Sequence, residues 1–409
     1  MTTTSGRVQE AIEAKPEDVG MSSSRLDRLD QVIQRRLDER KISGAITVVM
    51  RHGRVVHFQT VGSMDDEASK PMRRDAMFRI YSMTKPIVSL ALMQLFEEGL
   101  FQLDDPASKY IPEFAGLEVF TAGDARHYET RPPSREMTVR DLLCHTSGLS
   151  SAPIGGGTPA LTVVSQLYLN NGVAGIGHDG TLHDTIVKLG RLPLEADPGT
   201  RWIYGVSTDV VGYLVEVLSG RPLDQYLRER IFEPLGMPDS SFFVTPAKHD
   251  RLAAYYRQAP GGYDLYDAPT TSPFARQGTY FSGVGGLCST ADDYTRFVKM
   301  LLNGGQLDGE RVIGPRTLAY MRMNHLPGDS EIALGTGFGL GFAVLTNPAA
   351  SGCVGTAGEY HWAGAASTHF FVSPADQLGV VFMTQMLGMG PPVALGRDLR
   401  VGVYQALLD

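Results

Sequence analysis

Two stretches at opposite ends of the chain share one pattern. Residues 44–62, "GAITVVMRHGRVVHFQTVG", set two β-branched runs on either side of His52-Gly53, and residues 367–386, "STHFFVSPADQLGVVFMTQM", again read strand, turn, strand. Each predicts a pair of adjoining strands, the first a tight hairpin. A helix neighbours each pair. Ahead of the first, Leu26, Leu29, Val32, Ile33 and Leu37 mark one apolar face after a candidate cap at Ser24; behind the second runs "ALGRDLRVGVYQALLD". Strand pairs so far apart in the chain, each with its own helix, predict an α/β (α+β) fold: one antiparallel sheet built from both termini and flanked by helices. The middle has another texture, with helical stretches such as "TVRDLLCHTSGL", "STDVVGYLVEVLSG" and "PLDQYLRERIFEPLGM" separated by Gly- and Pro-rich loops. The expected organisation is a sandwich from residues 1–87 and 236–409 and a mainly helical inserted domain from 88–235. A cleft between two such units is where ligands usually sit.

Composition narrows the partners. The 409 residues carry a net charge of -8 with no block of like charge, so neither nucleic acid nor an anionic membrane is recommended, and small molecules are the expected partners. The polar start lacks the build of an export signal, and no apolar run approaches the ~18 residues of a spanning helix, which predicts a soluble, cytoplasmic protein. Cys144, Cys288 and Cys353 lie far apart, suggesting neither a disulfide framework nor a thiolate zinc site, and each is expected to be a small buried hydrophobe. The histidines show no metal-ligand spacing, so no metal is expected. The oligomeric state is left open, a homo-oligomer included.

The chemistry concentrates at "FRIYSMTKPI", residues 78–87. Residues three apart share a helix face, so Ser82 and Lys85 can touch if one helix runs through both. Pro86 limits where that helix begins, because its ring clashes with the carbonyl four residues back and it is tolerated only in the first turn. That carbonyl belongs to Ser82, which is thereby placed at the helix N-terminus, where unpaired N–H groups favour negative charge. Ser82 is the candidate nucleophile. Lys85 can act as its base only in the neutral form, which burial among residues such as Phe78, Ile80 and Ile87 favours.

With "SMTK" at 82–85, "LLCHTSGL" at 142–149, "PGTRWIYGVS" at 198–207, "GVGGLCSTADDYTRFVKMLLNGG" at 283–305 and "HWAG" at 361–364, the chain resembles the serine β-lactamase-like superfamily. It is most similar to the family VIII carboxylesterases, relatives of the class C β-lactamases and DD-peptidases, over nearly its whole length and with the motifs in order. The resemblance implies that Ser82 is acylated, that Lys85 assists as base, and that Tyr204, just before a helix start that Ser207 can cap, completes the trio. It also implies an oxyanion hole from the backbone N–H groups of Ser82 and Ala365, with Gly364 allowing close approach of backbone to substrate. No cofactor is required.

Two departures bear on the substrate. The superfamily's Tyr-x-Asn has Val206 in third place, which weakens contact with a β-lactam or peptide amide and leaves Val206 as an expected substrate-contacting residue. Its Lys-Thr-Gly is replaced by Trp362-Ala363-Gly364, which removes a grip on substrate carboxylate and offers an apolar surface. The expected function is hydrolysis of short-chain, uncharged esters through an acyl-enzyme on Ser82. The alternatives are a β-lactamase, DD-peptidase or acyltransferase of the same superfamily, and a non-enzymatic binding protein with this fold. His361 is expected to line the pocket, while His145 in "CHTSG" reads as part of a structural loop. Two Gly-rich stretches, "ARQGTYFSGVGG" and "SAPIGGGTPA", are candidate mobile covers for the site.

Overall fold

The computed structural model describes residues 12–151, 161–173, 179–328, 330–387 and 392–409. The first expected hairpin is formed by β1 (Gly44–Arg51) and β2 (Arg54–Asp65), turning at His52-Gly53 with Arg51 opposite Arg54. β3 (Lys70–Pro71) extends that edge. The remaining strands come late: β4 (Thr336–Phe338), β5 (Ala343–Leu345), β6 (Tyr360–Ala363), β7 (His369–Ser373) and β8 (Leu378–Met383). All pair antiparallel in the order β4-β5-β6-β7-β8-β1-β2-β3. Ile46 stands opposite Met383 and Arg51 opposite Leu378, so the two hairpins meet inside one eight-stranded sheet. The antiparallel sheet built from both ends is as the strand signals predicted.

Five helices position what matters: α1 (Ser23–Asp38), α2 (Thr84–Glu97), α3 (Ser207–Ser219), α4 (Ala291–Leu302) and α5 (Pro392–Tyr404). Every residue of β1 is buried, and its sequence is apolar apart from Thr47 and Arg51 because helices cover both faces of the central strands. On one face Ala45, Val49, Phe371, Val380 and Phe382 pack against Leu26, Leu29 and Ile33 of α1 and Leu399 and Val403 of α5. On the other, Ile46, Val48, Phe370, Val381 and Met383 join the main core with Phe297 and Val298 of α4. The α1 cap falls at Ser22, not Ser24. Glu17 accepts from the Ser23 backbone N–H and hydroxyl at 2.8 and 2.7 Å, so the side-chain acceptor comes from the preceding turn.

Among the described residues between α2 and Gly236, helices supply most of the regular structure, beside an unanticipated hairpin of Val119–Gly123 with Tyr128–Arg131. α2 is buried on all sides from Thr84 to Leu95, as suits a helix in the middle of a large protein, and α3 packs along it. A lysine in such a helix needs a specific reason. Among the described residues no helix is long and apolar enough to cross a membrane.

Candidate active site

Ser82 sits in a single 3-10 turn, Tyr81–Met83, that runs straight into α2. Pro86 is the third residue of that α-helix, where its missing N–H removes no intrahelical bond. The helix start therefore lies where Pro86 requires, and the expected pair forms: Lys85 Nζ stands 3.1 Å from Ser82 Oγ and donates to the Val284 carbonyl at 2.8 Å. Lys85 is 1 % exposed. The residue before the serine, Tyr81, has φ 42, a left-handed backbone that costs a side-chain-bearing residue of order 1–3 kcal/mol. Its ring is held beside Tyr255 and Phe274, with centroids 5.4 and 5.8 Å away.

Tyr204 arrives from the other helix start. Its hydroxyl lies 2.7 Å from Ser82 Oγ, and Lys85 Nζ lies 4.5 Å from its ring centroid, a cation–π contact. Ser207 is the first residue of α3, not its cap. Val206 takes the cap position without a side-chain bond, and the Ser207 hydroxyl pairs with that of Ser147 at 2.8 Å. Val206 is 2 % exposed, within the main core, and is not among the cavity-lining residues, so the expectation that it contacts substrate is corrected. His145 backs Tyr204. Its ring centroid is 5.1 Å from that of Tyr204, its carbonyl accepts from Ile203 at 2.8 Å, and burial, aided by the Lys85 charge, pushes its pKa down to about 3. It is a neutral packing group. Trp202 stacks on Tyr204 at 5.7 Å and Trp362 closes on it at 5.4 Å, making an aromatic wall.

The end of β6 completes the arrangement. Gly364 donates its N–H to Thr368 at 2.8 Å, and a Cβ there would stand 2.4 Å from the Ile80 carbonyl oxygen. Only glycine lets the β6–β7 turn close on the chain that leads into Ser82. The turn brings Ala365 to the cavity that Ser82 also lines. Among the described residues, neither the Ser82 N–H nor the Ala365 N–H has a protein acceptor.

A cavity of about 700 Å³ opens here, lined by Ser82, Tyr204, Trp202 and the expected residues His361, Trp362, Ala363, Gly364 and Ala365. Ile332, Leu334 and Leu345 add apolar wall, and Arg397 and Arg400 of α5 line it with His369. Arg400 is locked: its Nη2 and Nε meet Glu359 Oε1 at 2.6 and 2.7 Å, and Tyr404 donates to the other oxygen at 2.8 Å. Burial, with the Arg400 charge nearby, holds His361 and His369 well below the usual histidine pKa and hence neutral. Cys144 and Cys288 are buried, but Cys353 is half-buried and lines the cavity, a correction to the expectation for all three. Among the described residues no group of three or more His, Cys, Asp or Glu side chains could hold a metal ion.

Of the two candidate covers, "SAPIGGGTPA" falls outside the described residues from 152 to 160. The other is tied down in its second half, where Tyr280, Ser282 and Val284 all bond to Asp209. The Val284 carbonyl, Asp209 and Trp202 were not anticipated. A backbone carbonyl leaves no mark in sequence, but an aspartate directly before the apolar run Val210-Val211 of α3 does.

A family model described as Beta-lactamase matches residues 29–405. Esterase EstB of Burkholderia gladioli is 32% identical over 397 residues, covering 92% of this chain and 94% of that protein. Protein Rv1367c of Mycobacterium tuberculosis is 34% identical over 374 residues, 88% and 90% of the two chains. Among solved structures, EstCE1, described as a hydrolase with promiscuous acyltransferase activity, superposes with a TM-score of 0.77 at 27% identity, covering 93% of this chain and 99% of its own.

Proposed function

Because this chain belongs to the beta-lactamase family, as an esterase or acyltransferase of its serine-hydrolase branch, we propose that it hydrolyses uncharged carboxylic esters with short acyl groups through an acyl-enzyme on Ser82. The observation that carries this reading is the hydrogen-bonded trio of Ser82, Lys85 and Tyr204 at the mouth of α2, opening into the cavity.

Ser82 Oγ attacks the ester carbonyl while its proton passes to the neutral Lys85 amine. The heavy-atom distances suit this direction of transfer as well as the reverse. The carbonyl oxygen, now negative, takes hydrogen bonds from the N–H groups of Ser82 and Ala365, each such donor being worth ~2.7–4 kcal/mol in the transition state. Tyr204 relays the proton to the leaving alcohol, and water then attacks the acyl-serine by the same steps in reverse order. Trp362 stands where a cation would otherwise grip a carboxylate, which favours neutral esters.

Transfer of the acyl group to an alcohol is the second reading. A cavity of about 700 Å³ leaves room for an acceptor beside a short acyl chain.

The test is intact mass and peptide mapping after a serine-directed phosphonate, alongside turnover of p-nitrophenyl butyrate, a cephalosporin, and the ester with added alcohol. An adduct on Ser82, ester turnover that Ser82→Ala abolishes, and slower cephalosporin cleavage are expected. Full ester hydrolysis by Ser82→Ala would overturn the reading. Faster cephalosporin cleavage would move the protein to the lactamase side.

A further inference from the structure

We propose that Asp209 is a positioning residue for this chemistry, acting through Val284, the residue that holds the Lys85 amine. The inference rests on the reading of Lys85 as the base for Ser82.

Asp209 sits in the first turn of α3 and is 1 % exposed. Its carboxylate takes three donors: the Tyr280 hydroxyl at 2.7 Å, the Ser282 hydroxyl at 2.9 Å and the Val284 N–H at 3.0 Å. The carbonyl of that same Val284 accepts from Lys85 Nζ at 2.8 Å. The strap is tied at its other end to the nucleophile's own neighbours. Leu287 N–H donates to Thr84 Oγ1 at 3.2 Å, and the Leu287 carbonyl accepts from the Ile80 N–H at 3.0 Å. Residue 283 has to be glycine, because a Cβ there would stand 2.4 Å from the Thr208 carbonyl oxygen. Residues 282–287 are thus clamped between the start of α3 and the start of α2, which carry Tyr204 and Ser82.

The stereochemistry gives this clamp a task. A neutral amine has two N–H donors and one lone pair, and it accepts the serine proton only if the lone pair faces Ser82 Oγ. Committing one N–H to a fixed carbonyl cuts the staggered orientations of the amine to two, one of which turns the lone pair to Ser82 Oγ. A buried carboxylate is costly to keep, and a neutral amide of the same shape could satisfy much of the strap. A carboxylate there has a second use, with Tyr204, His145 and Asp209 among the titratable groups around Lys85. Burial keeps His145 neutral and raises the Asp209 pKa above the ordinary carboxylate value, against the pull of its three donors and of Lys85. The ammonium formed when Ser82 gives up its proton then has a counter-charge one residue away.

The experiment compares wild type, Asp209→Asn, Ser282→Ala and Ser82→Ala on p-nitrophenyl butyrate across pH, with far-UV circular dichroism as the check on folding. For Asp209→Asn, kcat is expected to fall about 10–100-fold, with KM changed less than about 3-fold. The acid limb of kcat/KM is expected to move down by about one pH unit, because removing a negative charge beside the site favours the less protonated form of whichever base the limb reports. Ser282→Ala weakens the carboxylate and should move both readouts the same way by less. A folded Asp209→Asn with wild-type kcat and limb overturns the proposal. Where Asp209→Asn does not fold, a folded Ser282→Ala with both readouts unchanged overturns it. A Ser82→Ala protein that still hydrolyses the ester sinks the underlying reading instead, whatever the Asp209 variant does.

Discussion

Lys85 and Arg400 are both basic side chains withdrawn from solvent beside one cavity, and they are accommodated in opposite ways. Arg400 touches its carboxylate directly, with Glu359 0 % exposed. Lys85 touches a carbonyl and a hydroxyl, and its nearest acid acts through an intervening residue. The first arrangement fixes charge: guanidinium does not deprotonate in proteins, and the pair ties α5 to the chain entering β6. The second fixes position but leaves the proton free to move. One fold thus contains a basic group built to stay charged and another placed to exchange a proton.

The largest effect should come from making the second resemble the first. Lys85→Arg keeps a cation that cannot serve as base, and ester turnover is expected to fall about 10⁴-fold in a folded protein. Activity above a tenth of wild type would break the contrast. Tyr204→Phe keeps the ring over Lys85 but removes the hydroxyl 2.7 Å from Ser82, for an expected loss of about 10³-fold in kcat with stability changed by ~1 kcal/mol or less. Glu359→Gln strands a buried guanidinium, and urea unfolding should report a loss of ~3–5 kcal/mol, with kcat for small esters within a few-fold of wild type. A cost under 1 kcal/mol would mean that Arg400 is not locked.

Asp293 sharpens the comparison from the other side, as a buried acid whose contacts are the Asp239 N–H at 2.8 Å and the Ser240 hydroxyl at 2.9 Å. Burial lifts its pKa from 3.8 to about 6. The folded protein binds this proton more tightly than the unfolded chain, so the group's contribution to stability is greatest below pH 3.8. It falls as pH rises through the window to about 6 and is constant above it. Relative to Asp293→Asn, wild type should lose up to about 3 kcal/mol across that window. A flat difference would place the proton elsewhere.

The parts legible in sequence were those with a period or a steric rule behind them. Alternating and continuous apolar runs announced β1, β2, β7 and β8, and Pro86 alone placed Ser82 at the helix start. Tyr204 was legible through its motif and the helix that follows it. Val206 was misread because spacing along a motif does not say which way a side chain turns in the non-helical residues before α3, and there it turns into the core. The Val284 carbonyl was out of reach for a different reason: every residue has one, and only the strap's path decides which of them meets an amine.

The pairing of β1 with β8 joins residues roughly 330 positions apart, the longest loop closure the sheet requires. During synthesis β1 and β2 leave the ribosome with one long side unzipped, and nothing native can cover it until the final strand has been translated. For that interval the nascent hairpin competes for strand partners from neighbouring chains. Soluble yield should therefore respond more to how fast and how crowded expression is than to the strength of any contact at the cavity.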